Sequence, residues 1–175
     1  MAKPVLSSIW AAFPDHVTHP TLRDLYTHLG GTAARNIETP GFGPNGNTCA
    51  SRLSMAFNAG GAPITIAAAR AAGAQTLGAA DGARIIFRVT EFRAYLIRLL
   101  GKPSLDDASP YDSAFRGRRG IVAFTVSWSD ASGHIALWDG ARYREPKHDN
   151  YASYASGSAK TSRGEFWELS RCVRR

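Results

Sequence analysis

The stretch GIVAFTVSW, residues 120 to 128, constrains the fold most. A strand that is apolar on both faces lies in the middle of a covered sheet, so the chain has to supply material for each side. The residues before it supply helices. VTEFRAYLIRLLG (89–101) predicts an amphipathic helix with Thr90 as its N-cap, Phe92, Leu96, Leu99 and Leu100 as its apolar stripe, and Gly101 as its stop. PTLRDLYTHLGG (20–31) places Leu22, Leu25, Tyr26 and Leu29 at helical spacing before a glycine pair. Residues 49–59 do the same with Ala50, Leu53, Ala56 and Phe57, and Gly60 follows. GFGPNGNT (41–48) is a loop by its glycines and proline, and AAARAAGAQTLGAADGAR (67–84) reads as loop or broken helix. After the central strand, GHIALWDGARYRE (133–145) predicts a hairpin with Asp-Gly at its tip, and EFWEL (165–169) a last short strand. A helical half followed by an antiparallel sheet is an α+β fold. The 175 residues suit a single domain, 1–175, with a substantial core.

Hydrophobic residues make up 44% of the chain, which disfavours intrinsic disorder. Its two cysteines, Cys49 and Cys172, allow at most one bridge and stand in different settings, so no disulfide framework is expected. No apolar run is long enough to span a bilayer, and the N-terminal MAKPVLSSIWAAFPDH lacks the pattern of a secretory signal peptide. The net charge of +7 favours polyanionic partners. A nucleic-acid-binding domain is one reading of that charge. Yet the densest basic group, RGRRG at 116–120, carries three arginines and no zinc-finger or aromatic-basic pattern accompanies it. A bacterial cell wall is anionic as well.

Cys49 stands where the loop becomes a helix, with Asn47 or Thr48 as the cap. Unpaired N–H groups and the positive end of the helix dipole favour a thiolate at such a place. The same amides suit the oxyanion of a tetrahedral intermediate. A thiol nucleophile needs a base on a neighbouring element. His16 and His19 lie in a proline-flanked loop, His28 on a polar helix face and His148 in a polar turn. His134 differs, because it opens an otherwise apolar strand. Strict alternation puts His134, Ala136 and Trp138 on one face and Ile135 and Leu137 on the other, with Ala136 leaving room for a helix to approach.

NTCASRLSMAFNAGG and GHIALWDG, in this order and separation, resemble the fourth amidase effector family of bacterial type VI secretion systems. SSIWAAFPDH, FRVTEFRAYLIRLLG, RGIVAFTVSW and GEFWEL extend the resemblance across nearly the whole chain. It implies a papain-like fold of the NlpC/P60 type. It also implies an antibacterial cysteine amidase, made in the cytoplasm without a signal peptide and delivered by the secretion apparatus to a rival's periplasm. There the family cleaves peptidoglycan stem peptides between γ-D-glutamate and meso-diaminopimelate, and a cognate immunity protein blocks the site. Cys49 carries over as the nucleophile and His134 as the base. No cofactor, metal, nucleic acid or membrane insertion is expected. Cys49, His134 and His148 lack the paired spacings of zinc sites. A thiol acyltransferase or deamidase is the alternative that uses the same pair.

The family typically has an aspartate on the strand after the histidine, to orient it. A two-residue Asp139-Gly140 turn pairs Trp138 with Ala141, Ala136 with Tyr143 and His134 with Glu145, which makes Glu145 the expected orienting residue. Asp139, the alternative, belongs to the turn for local backbone reasons and lies about 16 Å along the strand from His134. A longer loop shifts the pairing and brings Asp149 into range instead.

Overall fold

The computed structural model describes residues 2–39, 46–107, 109–128 and 133–170. The first half of the chain is helical: α1 (Leu6–Ala11), α2 (Leu22–Leu29), α3 (Gly31–Arg35), α4 (Cys49–Ala59) and α5 (Ile66–Ala71). A two-stranded ribbon of β1 (Leu77–Gly78) and β2 (Arg84–Ile85) leads into α6 (Val89–Leu100). The second half supplies β3 (Leu105–Asp106), α7 (Tyr111–Phe115), β4 (Gly120–Val126), β5 (His134–Trp138), α8 (Pro146–Asp149), β6 (Ala155–Ser156) and β7 (Ala159–Glu168). The main sheet runs β3-β7-β4-β5, antiparallel throughout, with β6 paired on β7.

β4 is central, as its sequence requires. It pairs with β5 from Gly120–Trp138 to Phe124–His134 and with β7 on its other side. Its alternate residues enter two cores. Ile121 and Ala123 join Ile135, Leu137 and Trp167 against α4 and α6. Val122, Phe124 and Val126 join Ala136, Trp138, Tyr143 and Phe166 against Tyr111 and Phe115 of α7. The face that receives α4 is therefore that of Ile135 and Leu137, rather than the Ala136 face expected from the small side chain. The Ala136 face is filled by aromatic rings, among them Trp138 against Tyr143 with centroids 4.8 Å apart. A third cluster joins α2, α3 and β2 through Leu22, Leu25, Tyr26, Leu29, Ala33, Ile37 and Ile85.

Local chemistry accounts for most boundaries. Thr21 and Asp24 form a reciprocal capping box at the start of α2, and Gly30, at φ +65°, ends it. α6 has the expected extent and buries Phe92, Leu96 and Leu99, but its N-cap is Arg88 rather than Thr90, and no side chain caps it. Arg93 of α6 reaches the buried Glu165 of β7 and ties this helix to the sheet. The 67–84 stretch resolves into the end of α5 and the β1–β2 ribbon, with Thr65 capping α5 through the Ala68 N–H. β7 is ten residues long, where EFWEL accounts for only its buried end. Most of the 41–48 loop, and Cys172, lie outside the described residues.

The hairpin departs from expectation. Trp138 pairs with Tyr143, not Ala141, because the loop holds four residues, and the Asp139 N–H donates to the Arg142 carbonyl at 3.1 Å. Beyond Arg144, which donates its N–H to the Leu137 carbonyl, no second strand continues. The chain turns into α8, with Glu145 at its N-cap and Pro146 in its first turn. Proline lacks the N–H that a ladder needs and suits a helix start, so the strand ends there. His134 and Glu145 are not a cross-strand pair.

Candidate active site

Cys49 opens α4 as expected, but the cap is divided between two side chains. Thr48 occupies the N-cap position, yet its hydroxyl accepts from Arg52 Nε at 2.8 Å instead of capping. Asn47 does the local work, its Oδ1 accepting the Cys49 N–H at 3.0 Å. That amide, one of those expected to face an oxyanion, is engaged within the protein. Asn47 Nδ2 donates to the Gly133 carbonyl at 3.1 Å, which ties the start of α4 to the residue just before His134.

Gly133 is required by its surroundings. Its φ is +154°, and a Cβ would lie 2.2 Å from the Phe124 carbonyl oxygen. The glycine lets the chain enter β5 in contact with β4, so His134 begins the strand directly opposite Phe124. His134 and Cys49 are both buried, each 5% exposed.

The imidazole is held from three sides. Its Nε2 lies 2.9 Å from Asp149 Oδ1. That leaves Nδ1 for Cys49, which lies close enough to act on the ring electrostatically. Tyr151 stacks on the ring with centroids 4.5 Å apart. Burial alone pushes the His134 pKa down, but the negative charge of Cys49 and the Asp149 carboxylate outweigh it and push the pKa up to about 10. The arrangement thus favours the imidazolium form of His134.

Asp149 is 2% exposed and is placed by α8. Its Oδ2 accepts the Glu145 N–H at 2.9 Å, so the single turn of helix presents the carboxylate to the histidine. The carboxylate on His134 is therefore Asp149, and the four-residue loop is the reason. Glu145 faces elsewhere: Oε1 accepts the His16 N–H at 2.7 Å and Oε2 meets His16 Nδ1 at 2.8 Å. Burial raises the Glu145 pKa, but the two His16 contacts and the Arg52 charge outweigh it and hold the carboxyl below its ordinary range. Asp139 serves the turn, accepting from the Ala141 and Arg142 N–H groups at 3.0 Å.

Arg52, one turn along α4 from Cys49, is a residue the sequence reading passed over. It is 1% exposed and has no carboxylate in direct contact among the described residues. Besides Thr48 it donates to the carbonyls of Pro14 (2.9 Å), Asp15 (3.0 Å) and His19 (2.5 Å). Burial pulls its pKa down, while the negative charges of Glu145, Asp15, Asp149 and Cys49 act against that. The loop after α1 is thereby pinned to α4 by Arg52 and to α8 by His16. Only the position of Arg52, one helical turn after the cysteine, could have signalled this.

A thiol at a helix start, a strand-borne imidazole beside it and a carboxylate behind the imidazole can perform acyl transfer through a thioester. Set in a helical half packed on an antiparallel sheet, they define the class as papain-like thiol hydrolases of the NlpC/P60 type. Within that class the chain belongs to the Tae4 family, "Type VI secretion system (T6SS), amidase effector protein 4", which matches residues 45–167. Solved Tae4 structures superpose over almost the entire chain. Tae4 in the Tae4–Tai4 effector–immunity complex from Enterobacter cloacae is 29% identical with a TM-score of 0.78, covering 96% of this chain and 99% of that one. Tae4 from Salmonella typhimurium, in complex with the immunity protein Tai4 from Enterobacter cloacae, is 30% identical at TM-score 0.78, covering 95% and 99%. The Salmonella Typhimurium effector–immunity complex gives 31% identity at TM-score 0.76, covering 96% and 99%. No curated protein sequence matches. The protein is an antibacterial amidase effector of type VI secretion. Among the described residues no helix is long and apolar enough to cross a membrane.

Proposed function

We propose that the protein cleaves the γ-D-glutamyl–meso-diaminopimelate bond of peptidoglycan stem peptides in the periplasm of rival bacteria, with Cys49 as nucleophile, His134 as acid and base, and Asp149 as the residue that orients His134. The observation that supports this most is the continuous line Cys49–His134–Asp149, closed by the 2.9 Å contact between His134 Nε2 and Asp149 Oδ1.

In this reading the Cys49 sulfur attacks the amide carbon and the carbonyl electrons move to oxygen. As the tetrahedral intermediate collapses, the His134 imidazolium gives its Nδ1 proton to the departing diaminopimelate nitrogen. The acyl group remains on sulfur as a thioester. Neutral His134 then takes a proton from water, hydroxide attacks the thioester, and the γ-D-glutamyl carboxylate leaves while the thiol is restored. Asp149 keeps Nδ1 aimed at the sulfur throughout and stabilises the imidazolium. The +7 charge draws the enzyme to an anionic wall. It equally suits an acidic immunity protein seated over the Cys49 cleft, by analogy with the Tae4–Tai4 complexes.

Digestion of purified sacculi, followed by mass analysis of the released muropeptides, tests the bond. Products ending in free γ-D-glutamate with a new diaminopimelate amine are expected. Cleavage elsewhere in the stem contradicts the assignment. For the partner, the product of the adjacent gene is expected to inhibit hydrolysis with an affinity that falls as salt is raised. Failure to bind removes that part of the proposal.

A further inference from the structure

Folding assembles a second group of ionisable side chains that the amidase chemistry does not use. His16 comes from the loop after α1, Glu145 from the N-cap of α8 and His148 from its single turn. One donor atom from each of the three lies within 4.8 Å of the others. We propose that His16, Glu145 and His148 form a binding site for a divalent transition-metal ion of the zinc class.

The donor set suits such an ion. Two imidazoles and one carboxylate, with positions left open, are a ligand combination that zinc accepts. Glu145, at the N-cap of α8, and His148, within it, are brought near each other by this single turn. Glu145 is the anchor. Its Oε1 is fixed by the His16 backbone N–H at 2.7 Å, the kind of outer contact that orients a metal-bound carboxylate. The His16 and His148 rings stack with centroids 3.9 Å apart and planes 9° from parallel. Parallel rings aim their lone pairs side by side, so His148 has to turn to converge on a shared ion. Exposed and on the outer side of α8, it has the freedom to do so. Ligands around a tetrahedral zinc lie about 3.3 Å apart, so closing the site takes side-chain shifts of about 1 Å. That cost points to micromolar rather than tighter binding. In sequence His148 reads only as part of a polar turn; folding places it beside His16, which is 129 residues from Glu145.

A zinc titration by calorimetry at neutral pH tests the site, using the untagged full-length protein carrying Cys49→Ala and Cys172→Ser so that no thiol competes. One ion per chain is expected, in the micromolar range, with no response to magnesium. His148→Ala and His16→Ala in that background are each expected to weaken binding about tenfold or more. His28→Ala, which alters the other close histidine pair (His19 and His28, centroids 4.6 Å apart), is expected to leave it unchanged. No binding at millimolar zinc, or a site that survives both His148→Ala and His16→Ala, overturns the proposal. Because the readout is binding by a protein without its nucleophile, its failure leaves the amidase assignment standing.

Discussion

Asn47 donates to the carbonyl of Gly133 at 3.1 Å, and through this one contact the loop before the cysteine is fastened to the residue before the histidine. The same side chain accepts the Cys49 N–H, so it fixes both the helix start and its distance from β5. Asn47→Ala removes both bonds, each worth about 1 kcal/mol. A loss of roughly tenfold or more in kcat/KM is expected, with a smaller change in thermal stability because the side chain lies at the surface. Asn47→Asp keeps the acceptor and loses the donor, and should fall between. Unchanged kinetics in Asn47→Ala would show that the sheet and α4 hold the pair without it.

Three carboxylates near the hairpin should rank by what they touch. Asp149→Asn removes the charge behind the imidazole and favours the wrong tautomer, so kcat is expected to drop by about 100- to 10,000-fold. Glu145→Gln keeps the shape that His16 contacts but weakens it, and should cost about tenfold or less. Asp139→Asn leaves the turn's acceptor in place and should be nearly silent. Steady-state kinetics on soluble muropeptides checks the order, and a Glu145→Gln defect exceeding that of Asp149→Asn would contradict the geometry.

The pH profile follows from His134. With its pKa near 10, the imidazolium that protonates the leaving amine in the proposed mechanism persists well into alkali, so on that mechanism kcat/KM should rise through acid, stay flat, and fall as the pH passes about 10. Stability carries the same sign. The folded pKa lies above the ordinary 6.5, so the contribution of His134 is complete below pH 6.5 and disappears as the pH rises through about 10. Thermal melts across that window should show the loss in wild type and little of it in His134→Gln. A rate profile that tracks free-thiol ionisation alone, identical in His134→Ala, would argue against the pairing.

Arg52→Met is expected to lower stability by about 3 kcal/mol or more, because the carbonyls of Pro14, Asp15 and His19 and the Thr48 hydroxyl all lose their donor. Denaturant unfolding measures this. Arg52→Lys cannot reproduce the fork and should recover only part of it.

The parts of the fold legible in the sequence are those where one pattern dominates. β4 is apolar at nearly every position and α6 carries a clean 3.6-residue stripe, while in α4 the expected Ala50, Leu53, Ala56 and Phe57 are buried together with the polar Ser51, Arg52 and Ser54. Cys49 and His134 could be singled out because a helix start and the opening of an apolar strand are unusual places for those side chains. The carboxylate was harder to read. Asp-Gly signals a tight turn, but here Asp139 organises a four-residue loop, and a shift of register changes every pairing beyond it. The corrective signal was Pro146, which excludes a continuing strand and suits a helix start, with Asp149 one turn on. The first half of β7, AKTSRG, reads as a polar loop because it lies largely at the surface. Arg52 and His16 act through contacts 33 and 129 residues away in sequence, which no local pattern encodes.

The central claim is that the Cys49 sulfur is the nucleophile of a peptidoglycan amidase. Muropeptide release from sacculi by purified Cys49→Ala protein, with far-UV circular dichroism and melting temperature matching wild type, tests it most directly. The structure predicts no release above the enzyme-free control, since His134 and Asp149 then have no thiol to activate. Wild-type rates from a folded Cys49→Ala protein would contradict it.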